Sequence, residues 1–89
     1  MTKIVIKNNF FNLGVWMAWK ANAVSLFVQA KKEGKSIKFK PGKREFIIEG
    51  KDVDKKMVDG FKEMVEIDNH HFKHARLPYR QTMEVVDDE

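Results

Sequence analysis

The residues that could carry chemistry are few. His70, His71 and His74 are the only imidazoles, and His70 and His74 stand four apart, the spacing of two metal ligands on one helix face. No firm third ligand accompanies them, there is no Cys, and Pro78 interrupts the stretch that follows, so ordinary polar surface is the expected role and no metal is assigned. Ser25 has no His near it in sequence, which leaves a nucleophile without a base. The acids of residues 45–69 fall on the solvent face of a helical pattern, where a charge run means solvation. The five Gly are scattered singly, so no phosphate-cradling loop exists. Neither a catalytic residue nor a cofactor is assigned, and the expected class is a binding module, not an enzyme.

Charge carries more information. The net value of +4 is the balance of 17 basic and 13 acidic residues among 89. Residues 31–44 hold Lys31, Lys32, Lys35, Lys38, Lys40, Lys43 and Arg44 against the single acid Glu33. Residues 45–69 hold eight acids and four bases. The chain is therefore expected to be dipolar, with a basic hairpin able to meet an acidic protein or a nucleic acid. No apolar run approaches the roughly 20 residues of a membrane span, no secretory leader is legible, and a cytoplasmic home without membrane contact is expected.

The elements that position these charges follow from periodicity. Lys3–Lys7 alternates as a half-buried strand, and Asn8–Asn12 reads as a loop whose Phe10 and Phe11 fold back onto the core. Asn12 is placed to cap a helix over residues 13–30. On it Val15, Trp16, Trp19, Ala23, Leu26, Phe27 and Ala30 share one face, and Met17, Val24 and Val28 form a second apolar strip beside Lys20 and Lys31. One sheet cannot cover both. Either the C-terminal segment covers the second strip or a partner does.

Gly34 is suited to end the helix as a left-handed residue. Ile37 and Phe39 then alternate with Lys38 and Lys40, Pro41-Gly42 has type II turn chemistry, and Glu45–Glu49 returns as a strand with Phe46 and Ile48 on one face. Asp52 or Asp54 caps a second helix with Val53, Met57, Gly60, Phe61, Met64 and Ile67 in its stripe, ended or bent at Asp68-Asn69. Gln81–Val86 alternates weakly and can add a strand before a frayed end at 87–89. The expected fold is a single α+β domain over 1–89, a small open-faced sandwich. It has an antiparallel sheet of three to four strands and two helices on one face, in the order β-α-β-β-α with the C-terminal strand left open.

The segments KIVIKN, LG, SLFVQA and IKF are together similar to the opening of HPr, the histidine phosphocarrier of the sugar phosphotransferase system, and FIIEGKDVDKKMVDGFKEMVE resembles that family's last strand and helix. The resemblance covers about 50 of the 89 residues. It implies that the family's third strand and middle helix are missing. The family's second and fourth strands are neighbours, so the Pro-Gly turn joins them directly. It also implies loss of phosphocarrier chemistry. The active His position falls at Trp16 or, aligned from Ser25-Leu26-Phe27, at Lys20, and the Arg-Pro that follows it is absent. What the resemblance leaves is a degenerate scaffold that docks through a helix face.

The leading expectation is a protein-binding, regulatory module for an acidic partner, by analogy with compact phage-type inhibitors that occlude a larger enzyme. Its expected contact residues are Met17, Lys20, Val24 and Val28 on the helix, with Lys31, Lys35, Lys38, Lys40, Lys43 and Arg44 as the electrostatic surface. The alternative is sequence-tolerant nucleic-acid binding by the basic hairpin 31–44, with phosphates neutralised by Lys and Arg and bases stacked on exposed Phe39 or Phe46.

Overall fold

Alternation and capping produce six elements in a computed structural model that describes residues 2–87. They run β1 (Thr2–Asn8), α1 (Leu13–Lys32), β2 (Lys38–Pro41), β3 (Glu45–Gly50), α2 (Lys55–His74) and β4 (Gln81–Asp87). The strands form one antiparallel sheet in the order β2-β3-β1-β4. This is the expected α+β sandwich, with the fourth strand formed. Ile4 and Ile6 of β1, Phe46 and Ile48 of β3, and Phe39 of β2 look to the helices. Trp19, Ala23 and Ala30 of α1 and Val65 of α2 close over them. Trp19 meets Phe46 edge-on at 5.5 Å between centroids. This layer is apolar except at one end, where Asn8 and Gln81, opposite each other in register, are buried on the same face.

Both helices start and stop by the same devices. The Asn12 side chain accepts from Val15 N at 3.1 Å and the Asp54 side chain from Met57 N at 2.9 Å, which satisfies amides that have no partner inside the helix. At the far ends Lys35 N donates to Ala30 O and Gly34 N to Lys31 O in α1. Leu77 N donates to Phe72 O and Arg76 N to Lys73 O in α2. Each pair is a Schellman closure, which needs a left-handed residue. Gly34 supplies it in one case with φ 69°, and Arg76 in the other with φ 58°. Gly50 serves a different purpose, since a Cβ there would lie 2.2 Å from Ser36 O of the incoming loop.

Several expectations give way. Asn8 belongs to β1, and Asn9 is a latch. Its Oδ1 accepts from Arg80 N at 2.8 Å and its Nδ2 donates to Pro78 O at 3.3 Å. Phe10 is buried, stacked on Tyr79 at 4.2 Å and edge-on to Phe72, whereas Phe11 is exposed. α2 continues through Asp68-Asn69 to His74, because the Asn69 side chain grips the backbone of Gln81 at 2.7 and 2.9 Å and holds the helix against β4. Val58 and Val65 take the inward places expected of Gly60 and Ile67, which are exposed. Positive φ among the described glycines is confined to Gly34 and Gly50, so the hairpin does not make a type II turn at Pro41-Gly42. Its loop instead closes from Gly42 N to Glu45 O at 2.7 Å. Asp87 pairs with Thr2, so β4 enters the stretch expected to fray, and residues 88–89 lie outside the described ones.

Candidate functional site

The decisive question is which apolar strip of α1 the fold covers. β4 pairs along the outer edge of β1 and carries the C-terminal segment away from α1. The second strip is therefore left in solvent, and intramolecular cover by that segment is ruled out. Met17 is 60% exposed, Val24 66% and Val28 47%. Two residues not expected there join them. Leu13 is exposed, and Phe27, expected on the core face, is 49% exposed. At 100° per residue these five occupy an arc of about 100° that faces away from the sheet. The signal was present in the spacing. Leu13, Met17, Lys20, Val24, Phe27 and Lys31 follow one another at intervals of four and three, the seam of a helix that pairs with another helix.

The cations of this face are partly those expected. Lys20 lies in the seam with its Nζ 4.7 Å from the centroid of the Trp16 ring, a cation–π contact within the helix. Lys31 and Lys32 end α1, and Lys35 follows the cap, its ammonium 3.4 Å from the Glu33 carboxylate. At the other end Lys43 and Arg44 share a hollow with Phe11, whose ring is 6.1 Å from that of Trp16. No acid precedes Glu33 in the chain. The long axis of α1 is thus an apolar strip with bases at its middle and both ends.

Lys38 and Lys40 are placed elsewhere. β2 turns Phe39 inward, and its two lysines project from the opposite, open face of the sheet. There Glu49 stands between Lys38 and Lys3 in register and takes a salt bridge from Lys40 at 2.5 Å. That hydrogen bond, helped by the weaker fields of Lys40, Lys3 and Lys38, holds the Glu49 carboxyl below its ordinary value against an opposing desolvation. The basic hairpin is therefore two surfaces. Its turn belongs with α1, while its strand forms part of a Lys/Glu chequerboard on the other side. Phe46 is buried and Phe39 half-buried against the core, so neither offers a base a free ring.

His70 and His74 do share one exposed face of α2, their rings stacked at 6.1 Å. Among the described residues no three His, Asp or Glu side chains come together in a metal-holding group. Asp68 points inward beside Gln81, and burial raises its carboxyl above the ordinary value against a hydrogen bond from Gln81 that lowers it. Among the described residues no helix is long and apolar enough to cross a membrane. No protein-family model matches the chain, and no curated protein or solved structure matches it either.

Proposed function

We propose that this chain is a non-catalytic, regulatory binding module on an HPr-like scaffold, and that it docks onto an acidic protein partner in the cytoplasm through the outward face of α1. One observation carries the reading: an acid-free helix presents Leu13, Met17, Val24, Phe27 and Val28 to solvent with Lys20 and Lys31 set among them. Full burial of each such side chain is worth about 1.5–3 kcal/mol, and cations within an apolar strip select a partner that brings carboxylates to the same seam. A second copy of α1 is a poor occupant. A two-fold axis at the middle of residues 13–28 falls beside Lys20 and sets it against its own copy with no acid to answer it. The scaffold reading is supported by β3 lying between β1 and β2, with the Pro-Gly hairpin joining β2 and β3 directly. Trp16 and Lys20 cannot accept a phosphoryl group as imidazole does. The nucleic-acid alternative draws no comparable support, since Lys38 and Lys40 answer Glu49 and the hairpin phenylalanines turn inward.

The test is capture from a native lysate by wild type and by Val24→Asp, each with and without nuclease. The expected result is a discrete protein held by wild type after nuclease, weakened by salt, and lost with Val24→Asp while its thermal melt stays within about 0.5 kcal/mol of wild type. Captured nucleic acid that disappears when Lys38, Lys40 and Lys43 are reversed to Glu, and persists with Val24→Asp, overturns the reading.

A further inference from the structure

The opposite flank of the molecule carries a surface that is complementary to itself. β4 is an outer strand, and it lacks the protections that β2 has. β2 is four residues long with two lysines and a proline, whereas β4 is seven residues long with neither Lys nor Pro. A long unguarded edge with free backbone donors and acceptors is a template for another strand. Val85, on the helix side of β4, is 45% exposed and borders a groove of about 440 Å³ floored by Val58, Val65 and Met83.

Above this groove the outer side of α2 carries Lys55, Asp59, Lys62 and Glu66, all exposed, at intervals of four, three and four and alternating in sign. Reversed against its own copy about a two-fold axis midway between Gly60 and Phe61, this row places Asp59 on Lys62 and Lys55 on Glu66 in one register. Each pair occurs twice. Any register that sets Lys62 against itself loses this match.

Strand and helix call for the same axis. Asn69 is bonded to Gln81, which ties one point of α2 to one point of β4. From Asn69 the helix midpoint at residues 60–61 lies about 13 Å away at 1.5 Å per residue. From Gln81, Val85 lies about 13 Å away in the same direction at 3.3 Å per residue. The groove, with Val58 and Val65 beside Met83 and Val85, fixes that common direction. Pairing centred on Val85 sets Val85 against its copy and Glu84 against Val86. Centring on Glu84 would oppose two carboxylates.

We propose that two copies of this chain pair antiparallel through β4 about a two-fold axis at Val85. The sheet continues to eight strands, and the two α2 helices close over the joined edge with Asp59–Lys62 and Lys55–Glu66 as their registering ion pairs. Strand hydrogen bonds and burial of the valine-lined groove supply the affinity, and the charges supply the register, because exposed ion pairs are individually weak. This surface lies at the β4 edge of the sheet, away from α1 at the β2 side, and is independent of the docking reading above.

The test is sedimentation equilibrium across 1–200 µM, with circular dichroism to verify folding. Wild type is expected at twice the chain mass of 10.5 kDa, and Val85→Lys at the single-chain mass. Asp59→Lys and Lys62→Asp, both at exposed sites, are each expected to weaken association about three- to tenfold. The double variant carrying both changes is expected to recover it. A wild type that stays monomeric at 200 µM overturns the proposal, as does a dimer that survives Val85→Lys. So does a double variant no tighter than the singles, or a dimer dissociated by Val24→Asp, which would assign the contact to α1.

Discussion

α1 and α2 are the same length, 20 residues, and are capped by the same chemistry, yet they differ in how much of their apolar content the fold uses. α2 is a conventional half-buried helix that leaves one large apolar residue, Ile67, half exposed. α1 leaves five, and carries no acid. Local propensity does not explain the contrast, because both helices need only one face to be held to the sheet. The surplus on α1 exceeds what holding one face to the sheet requires, and an exposed apolar strip of this kind set next to bases is the feature on which the proposed docking rests.

The comparison can be broken most forcefully within α1 itself. Trp19→Ala removes the ring that meets Phe46 and is expected to cost about 3–5 kcal/mol in chemical denaturation, against nearly nothing for Val24→Asp about one and a half turns on, on the other face. Equal losses from the two would mean that the outward strip is core after all. A smaller effect sharpens the parallel between the helix ends. Arg76→Gly relieves a left-handed β-carbon and is expected to stabilise by about 1 kcal/mol, and Gly34→Arg to destabilise by a similar amount, so that the two C-termini exchange quality. Denaturant midpoints read both. The smallest effect concerns Asp68, on the inward side of α2. Its carboxyl is raised by burial, so the folded state binds a proton more readily than the unfolded one. Stability contributed by the protonated form is therefore complete below the ordinary aspartate range and declines as pH rises through the raised value. Asp68→Asn is expected to raise the melting temperature slightly at pH 7 and to match wild type near pH 3. A lower melting temperature at pH 7 would show that the carboxylate is stabilising there.

Much of the architecture was readable along the chain because its causes are local. Asn12 and Gly34 mark the ends of α1 and Asp54 the start of α2. Lys3–Lys7 and Glu45–Glu49 alternate with period two, and Pro41-Gly42 demands a reversal even though its turn type differs from the expected one. What escaped reading depends on distant partners. Asp68-Asn69 looks like a helix end by propensity, but Asn69 spends its side chain on Gln81 and the helix runs on. The NNFFN segment looks like a loose loop, yet Asn8 pairs in β1 and Asn9 ties down Arg80. Of the expected contact residues, Met17, Lys20, Val24, Val28 and Lys31 share the face of α1, and Lys35, Lys43 and Arg44 stand at its ends. Lys38 and Lys40 separate from them because strand alternation sends them through the sheet.

By itself, then, the sequence determined the element types, their polarity and the existence of two apolar strips on α1, since hydrophobic period and capping act within a few residues. Which strip is buried was decided only in the tertiary structure. The C-terminal segment had two places to go, over α1 or along the free edge of β1. In the fold β4 runs along β1 from Asn8↔Gln81 to Thr2↔Asp87, an edge whose unpaired backbone groups require hydrogen-bonding partners that a helix surface cannot offer.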